Sequence, residues 1–212
     1  WISFFDSDHA IYVNARHREV HALITGEGML AHVKHGDRVL DYGCGEAAYA
    51  ERLVREAESL TLCEAAPNLR EAVMRRVKHE RYITMLSPEQ TAALPERSFE
   101  VVILHSVSQY LSAAQLDELL KLFRRLLHPS GKLVIGDVVQ PGTPAWKDAI
   151  ALLRFGWREG FFLAALGGLA ASFVVRRAVR LRSRTKCVVC ECHPLVIARI
   201  CPQCHTPLLA AT

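Results

Sequence analysis

Apolar runs alternating with amphipathic stretches dominate the first two thirds of the chain. Five short segments are almost continuously apolar, which is typical of strands buried on both faces of a parallel sheet. These predicted strands are Arg38–Tyr42, Ser59–Ala65, Arg81–Leu86, Ser98–Ser106 and, after a turn at its start, His128–Val139. Helical spacing predicts helices at Ile11–Met29, Glu46–Glu58, Asn68–Lys78 and Ser112–Leu127. The alternation predicts an α/β fold: a Rossmann-like, doubly wound, mostly parallel sheet with helices on both faces.

The regular alternation stops near Pro144. Phe161–Val175 is fifteen residues without a charge, which is short for a membrane span. We expect a helix that covers an acceptor pocket, with peripheral membrane contact as the alternative because a basic run follows directly. The predicted domains are a core with an N-terminal covering helix at 1–143, an apolar and basic helical lid at 144–184, and a cysteine-rich tail at 185–212.

Charge is unevenly spread along the 212 residues, half of which are apolar as in a packed globular protein. The net charge is +4, yet six basic side chains between residues 176 and 186 leave the rest of the chain at −2. A mildly acidic body disfavours nucleic acid as a partner. Trp1–Asp8 lacks the basic-then-apolar pattern of a secretion signal, which together with the clustered cysteines predicts a reducing, cytoplasmic location.

Four cysteines of the tail form two C-x-x-C pairs with ten residues between them. Four thiolates at this spacing fit a tetrahedral zinc site on two knuckles. The predicted ligands are Cys187, Cys190, Cys201 and Cys204. Two interpretations stay open, a small zinc ribbon or a divergent tail without metal.

A glycine-rich turn follows the first strand, in the stretch "VLDYGCGEAA". Gly43, Gly45 and Ala48 fit G-x-G-x-x-A, a pattern that also describes dinucleotide-binding loops. Asp41 stands directly before the turn, where a carboxylate would repel a pyrophosphate and suit a cationic ligand. Glu64 ends the next strand, 23 residues on, where an acid accepts hydrogen bonds from ribose hydroxyls. A ligand with a ribose, a positive charge and no phosphate is S-adenosylmethionine. Because Asp41 would repel a phosphate, the sequence disfavours a nicotinamide dehydrogenase.

Four segments in this order resemble the successive motifs of class I S-adenosylmethionine-dependent methyltransferases of the type 11/12-like group. They are "VLDYGCGEA", "LTLCEAAP", "FEVVILHSVSQYL" and "LLHPSGKLVIGDV", and the resemblance covers about Tyr12–Val139. It implies a seven-stranded sheet with the cofactor at the carboxyl ends of the first strands. The family would use the end of the chain for a last helix and two further strands, and the tail is too short for all of them, so we expect the last strands to be atypical or missing.

The resemblance also implies roles for single residues. Asp41 would hold the methionine end of the cofactor, the two glycines would let the backbone approach it, and Glu64 would bind the ribose. The other cofactor contacts that it implies are Cys44, Ala65, Ser87, Glu89, His105 and Ser106. The sequence departs from the family pattern at Ala47, where a third glycine is frequent, and at "SPE" after the third strand, where an acid is frequent.

Methyl transfer is an in-line displacement that depends mainly on alignment, and it needs a base only if the acceptor must lose a proton. Candidate bases are His105 and Asp137 at strand ends, and His17 or His21 on the first helix. We expect a small-molecule or lipid-like acceptor, since the lid is apolar and no asparagine-proline motif for nucleic-acid bases follows the fourth strand. The alternative is a non-catalytic protein that keeps the cofactor fold and docks a partner through its tail.

Overall fold

The computed structural model describes residues 2–6, 12–138 and 144–171. Two compact units divide these residues. One unit holds 2–6 and 21–138, and the other holds 12–20 and 144–171. Within the described residues, no helix combines the length and the apolarity that crossing a bilayer requires. The cytoplasmic location stays a prediction.

The larger unit is built on a parallel sheet, which confirms the predicted fold class. Its five strands are β1 (Arg38–Tyr42), β2 (Ser59–Cys63), β3 (Ile83–Leu86), β4 (Phe99–His105) and β5 (Leu127–Gly136). Their order is β3-β2-β1-β4-β5, and every neighbouring pair is parallel. Asp41 of β1 lies in register with Leu62 of β2 on one side and Ile103 of β4 on the other. The carboxyl ends of β1, β2 and β4 therefore meet at one edge of the sheet.

Helices connect the strands. They are α1 (Ile2–Phe5), α2 (Ala15–Leu30), α3 (Ala50–Glu56), α4 (Pro67–Val77), α5 (Pro88–Ala92), a 3-10 turn at Ser108–Tyr110, and α6 (Ala113–Leu126). α4 begins with a proline, whose fixed φ suits a first helical turn. α6 begins at a capping box in which Ser112 and Gln115 bond each other's backbone N–H groups.

Each face of the sheet has its own apolar core, as expected when side chains of a strand point alternately to opposite faces. Val39 joins Met29, Leu53 and Val73 in one cluster, which brings α2, α3 and α4 to that face. Leu40, its neighbour along β1, joins Phe123 and other residues in the second cluster, under α6. Fully burying a side chain of this size contributes about 1.5–3 kcal/mol, so both helix layers are held by substantial apolar contact.

Three local features differ from the sequence prediction. The helix expected from Glu46 begins only at Ala50, because the glycine turn continues through Ala47, whose φ is +44°. α5 was not predicted. β5 begins at Leu127, whereas the sequence predicted a turn before the strand. Phe99 pairs with Leu127 and Val101 pairs with Lys132, so β5 has more residues than β4 between these two pairs and the register is irregular there.

The smaller unit contains α7 (Ala145–Glu159) and a second helical segment, 162–171. Gly160 joins them with a φ of +82°, a left-handed conformation that favours glycine at a helix end. A Cβ on Gly156 would stand 3.1 Å from the backbone of Phe162, so this glycine lets the two helices approach closely. Residues 172–212, with the four predicted zinc ligands, lie outside the described residues. The domain limits, the lid over an acceptor pocket, the atypical last strands and the zinc ribbon therefore stay predictions.

Candidate cofactor and catalytic site

The turn after β1 is fixed by backbone hydrogen bonds to the neighbouring strand. The N–H groups of Gly43 and Cys44 both donate to the carbonyl of Cys63, at 2.8 and 3.1 Å. Gly43 and Gly45 have φ values of +78° and +54°, which favour glycine. A Cβ on Gly43 would overlap Val107, which follows β4, whereas a Cβ on Gly45 would meet no atom within 4 Å. The first glycine packs the turn against the next loop, and the second borders open space.

Asp41 is a buried acid at the end of β1, with 1% of its surface exposed. Its Oδ2 accepts a hydrogen bond of 3.0 Å from the Tyr49 hydroxyl, while its buried Oδ1 has no partner among the described residues. Burial raises the pKa of Asp41 from 3.8 to about 7, the Tyr49 hydrogen bond opposes this, and the charge of Glu64 adds to it. A buried acceptor without a donor is costly unless a ligand supplies one. Asp41 therefore requires a donor or a positive charge.

Glu64 bridges two loops at the same edge. Its Oε2 accepts from the N–H of Gly45 at 3.0 Å, and its Oε1 accepts from the N–H of Ala66 at 2.9 Å. The side chain is 4% exposed. Each carboxylate oxygen has a second lone pair, so these bonds leave acceptor capacity for hydroxyl groups. Glu64 thus holds the glycine turn in place, a role that the sequence did not indicate, and its predicted ribose contact stays a prediction.

Two further predicted contacts flank this acid and the turn. Cys44 is buried in the apolar core, and its thiol donates to the Gly45 carbonyl at 3.7 Å. Burial raises the pKa of this thiol well above its ordinary value, so it is an inert core group. Ala65 follows Glu64 in the loop after β2, where Arg70 donates to both of their carbonyls. Any cofactor contact of Cys44 would therefore come from its backbone.

Ser87 and Glu89 lie after β3 and begin α5. Ser87 is the N-cap of this helix and forms a capping box with Gln90. Its hydroxyl also donates to Glu89 at 2.6 Å. The S-x-x-Q spacing was the signal that would have predicted α5. Capping accounts for the local geometry of both residues, and their predicted contact with adenine stays a prediction.

The ends of β4 and β5 bring His105, Ser106 and Asp137 together. The Ser106 hydroxyl lies 2.9 Å from His105 Nδ1 and donates to Asp137 Oδ2 at 2.5 Å. Ser106 and Asp137 have φ values of +57° and +52°, a conformation that non-glycine residues rarely adopt. Burial lowers the pKa of His105, Asp137 raises it, and His21 of α2 lowers it. The two bases predicted separately are therefore linked through a serine that was predicted only as a cofactor contact.

α1 also reaches this edge of the sheet. The Asp6 carboxylate accepts from the backbone N–H of Asn68 at 2.6 Å, at the start of α4. The Phe5 ring meets the Tyr110 ring edge-on, with centroids 5.3 Å apart. Phe5 and Asp6 are thus attached to the start of α4 and to the 3-10 turn after β4.

The other candidates on α2 have a different setting. The ring of His17 stacks on Phe161 with centroids 4.8 Å apart and meets Phe155 edge-on, and its Nδ1 accepts from the N–H of Val13. These contacts are typical of a packed aromatic cluster. Among the described residues, no three histidine, cysteine or acidic side chains are grouped so that they could hold a metal ion.

Sequence reasoning missed three residues of the site. Tyr49 is the hydrogen-bond partner of Asp41, and Val107 is the contact of Gly43. Gln109 carries the second buried side-chain acceptor without a partner among the described residues, its Oε1. A single sequence gives no signal for Tyr49 and Val107, because each acts through a contact set by the turn or by the pairing of β1 and β4.

Comparison with known proteins bears on the same residues. Residues 40–135 match the family described as "Methyltransferase domain". This segment is a methyltransferase domain. It contains Asp41, the glycine turn, Glu64 and the His105–Ser106 pair, and it ends at the last residues of β5. The predicted family, the class I S-adenosylmethionine-dependent methyltransferases, is confirmed for this segment.

Relatives of the chain are distant. Nodulation protein S of Rhizobium tropici is 24% identical over 132 residues, which are 62% of this chain and 53% of that protein. The chain thus spans about half the length of this curated relative. Among solved structures, phosphoethanolamine N-methyltransferase 1 of Haemonchus contortus aligns with a TM-score of 0.55 and 19% identity, over 68% of this chain and 32% of that one. The PH0226 protein of Pyrococcus horikoshii OT3 aligns with a TM-score of 0.52 and 17% identity, over 58% and 59%. Both structures share the fold.

The site of the methyltransferase domain fits S-adenosylmethionine in its donor and acceptor groups. The unpartnered Asp41 Oδ1 suits the ammonium group of that cofactor, and Glu64 retains lone pairs for its ribose hydroxyls. The open space beside Gly45 leaves room for a ligand to approach the backbone. A pyrophosphate would instead meet the carboxylates of Asp41 and Glu64, so the residues present favour a cationic ligand over a dinucleotide.

Proposed function

We propose that the chain binds S-adenosylmethionine at the carboxyl ends of β1 and β2 and transfers its methyl group to a small-molecule or lipid-like acceptor. The observation that carries the proposal is the buried Asp41 Oδ1, which has no partner within the described residues beside a glycine turn that borders open space. The match of residues 40–135 to a methyltransferase domain supports the same function.

The residues of the chain would hold and align the two reactants. When bound, the cofactor supplies an electrophilic methyl group on a cationic sulfur. Asp41 would pair with the cofactor's ammonium, Glu64 would accept from its ribose, and the turn would fix its position through the backbone. Val107 packs against Gly43, which sets the loop that directly follows His105 next to the turn. Alignment of this kind supplies most of the acceleration in a displacement with a good leaving group.

Titration of the purified protein with S-adenosylmethionine tests the cofactor. We expect saturable binding that Asp41→Ala or Glu64→Ala weakens severely, while Glu51→Ala, at an exposed acid of α3, binds like the wild type. The two glycines give a matched pair. Gly45→Ala would place a methyl group in the open space and reduce binding with a stability cost of about 1–2 kcal/mol, whereas Gly43→Ala would also disturb Val107 and destabilise the fold further. No binding by the wild type would refute the proposed cofactor.

Catalysis is tested separately. Incubation with methyl-labelled S-adenosylmethionine and a cell extract should label an extract component in the presence of the wild type and not of Asp41→Ala. Cofactor binding without any transfer would instead favour the alternative, a non-catalytic protein on a methyltransferase fold.

The lipid-like class of acceptor is supported by an exposed apolar stripe on the smaller unit. Trp146, Ile150 and Trp157 lie at helical spacing on α7, and Trp157 is 75% exposed. Leu163, in the helical segment that follows, is 80% exposed. Tryptophan side chains favour the membrane interface, where the ring is buried and its N–H stays hydrated. We therefore propose that this stripe contacts an anionic membrane surface.

Charge complementarity supports an anionic partner. On α7 the basic residues Lys147, Arg154 and Arg158 outnumber the acids Asp148 and Glu159, and the sequence continues into the basic run at 176–186. Sedimentation with vesicles tests the contact. We expect binding to vesicles with anionic lipid, weaker binding in high salt, and loss of binding in Trp146→Ser/Trp157→Ser. Equal recovery with and without vesicles would refute it.

A further inference from the structure

The loops after β4 and β5 are held in an unusual conformation by one hydroxyl group. Ser106 and Asp137 are both in the left-handed region, at +57° and +52°, where a side chain costs about 1–2 kcal/mol per residue. Gly136 lies against His105, and a Cβ there would overlap the imidazole ring. Strained non-glycine residues concentrate at functional sites. Here the strained backbone places Ser106 Oγ between His105 Nδ1 and Asp137 Oδ2, at 2.9 and 2.5 Å.

The number of protons shared by Asp137, Ser106 and His105 determines which ring nitrogen of His105 carries the N–H. A carboxylate only accepts hydrogen bonds, and a serine hydroxyl has one proton to donate. Ser106 donates that proton to Asp137, so towards His105 it can only accept. Nδ1 must therefore carry the N–H. A neutral imidazole has only one N–H, which leaves Nε2 with its lone pair.

Burial favours the neutral form of this imidazole, while Asp137 favours its charged form. Burial lowers the pKa of His105, as does His21 of α2, whereas Asp137 at the end of β5 raises it. Asp137 also faces Tyr110, whose pKa is raised by burial and by that carboxylate. A base must be unprotonated before the reaction and stabilised once it has gained a proton, and this environment meets both requirements.

We propose that His105 Nε2 is the base that removes a proton from the methyl acceptor, and that Ser106 and Asp137 are positioning residues that fix its tautomer. This inference rests on the proposed function. The acceptor atom would give its proton to Nε2 while its electron pair forms the bond to the methyl carbon. The carbon–sulfur bond breaks with its electron pair going to sulfur, so one positive charge is lost there and one appears on the imidazolium. The acceptor is then a hydroxyl or an amine, which carries a proton, and not a carboxylate.

Nuclear magnetic resonance of the histidine ring nitrogens tests the tautomer without cofactor or acceptor. We expect His105 in the Nδ1–H form in the wild type. Asp137→Asn should lower the pKa of His105, because the charge that raises it is gone, and asparagine tolerates a positive φ. Ser106→Gly should remove the preference for Nδ1–H. An Nε2–H tautomer in the wild type would overturn the proposal.

Transfer kinetics with methyl-labelled S-adenosylmethionine and cell extract test the base. His105→Gln should reduce transfer by about 100-fold or more and remove the loss of activity at low pH. Ser106→Gly relieves the positive φ, whereas Ser106→Ala retains it, so a purely structural serine would leave the glycine variant fully active. We expect both variants to lose about tenfold or more in kcat/KM, with an altered pH profile.

Cofactor titration separates the two proposals. If the wild type does not bind S-adenosylmethionine, or binds it without transferring methyl, the proposed function fails and the base role fails with it. If it binds and transfers, and His105→Gln does so equally well with an unchanged pH profile, only the inference about His105 is overturned.

Discussion

In the wild type, folding stability should fall and cofactor affinity should rise as the pH increases towards 7, and Asp41→Asn should abolish both dependences. Asp41 is buried, and its pKa lies near 7 in the fold against an ordinary value of 3.8. The folded protein therefore holds a proton on Asp41 that the unfolded chain has released. Stability falls wherever the folded state binds more protons than the unfolded state, so wild-type stability should fall as the pH rises from about 4 to about 7. Asparagine does not titrate, which removes this dependence.

The size of the effect follows from the two pKa values. From pH 5 up to about pH 7 the folded protein keeps the proton on Asp41, while in the unfolded chain Asp41 is already ionised. This difference of one bound proton lasts over about two pH units. At 1.36 kcal/mol per unit, Asp41 alone lowers wild-type stability by about 3 kcal/mol over this range. The amide of Asp41→Asn still accepts from Tyr49, and its unpartnered N–H group costs about 1–3 kcal/mol at every pH. The change in the free energy of unfolding between two pH values therefore isolates the effect of the buried charge.

Urea unfolding at pH 5 and pH 8.5 measures this difference, with Asp117→Asn, at an exposed acid of α6, as the control. The wild type and the control should lose about 3 kcal/mol more than Asp41→Asn between the two pH values. Binding should show the reverse dependence, because the cofactor's ammonium pairs with the ionised form. Wild-type affinity should fall about tenfold per pH unit below 7, and Asp41→Asn should bind weakly throughout. Equal pH dependence of unfolding in wild type and variant would refute the reasoning, as would full cofactor affinity of the variant.

Three further predictions concern other parts of the chain. Gly26→Ala should destabilise the fold, because its Cβ would lie 2.8 Å from Tyr49 and displace that side chain. Gly28→Ala on the same helix would meet no atom within 4 Å and should stabilise the fold by about 0.5–1 kcal/mol, and thermal melts of the two variants test this difference. Arg38 lowers the pKa of Glu100 from 4.5 to about 2. Glu100→Gln should therefore lower the free energy of unfolding by about 1 kcal/mol at pH 7 and leave it unchanged below pH 2. An equal loss of stability at both pH values would contradict this prediction. The purified protein should contain about one equivalent of zinc per chain if the cysteine tail is a zinc ribbon, and elemental analysis finding less than about a tenth would exclude it.

The sheet could be predicted because its signal lies within each strand. Strands buried on both faces have continuous apolar runs, and Arg38–Tyr42 was predicted with the observed limits. The placement of Asp41 and Glu64 at one edge of the sheet could be predicted from their positions at the ends of parallel strands, while their contacts with a cofactor stay predictions. The start of α3 could not, because it depends on the left-handed conformation of Ala47. Propensity expects a helix there, and the packing of the glycine turn overrides it.

The hydrogen-bonded link between the catalytic candidates His105 and Asp137 could not be predicted either. His105 and Asp137 are 32 positions apart, and they meet because His105 pairs with Gly136 across β4 and β5. Ser106, which links them, adopts a positive φ that the flanking sequence does not indicate. Tyr49 is a similar case, since its bond to Asp41 forms only when the turn brings its hydroxyl back over the strand end.

The contact between Gly43 and Val107 constrains how this scaffold can change its acceptor. It sets the spacing between the glycine turn, which would hold the methyl donor, and the loop that directly follows His105, so neither can shift to admit a larger substrate without disturbing the other. A change of acceptor size would then have to come from residues beyond this contact, after β5 ends at Gly136. Libraries that aim at new substrates should accordingly vary the residues after Asp137 and leave both loops intact.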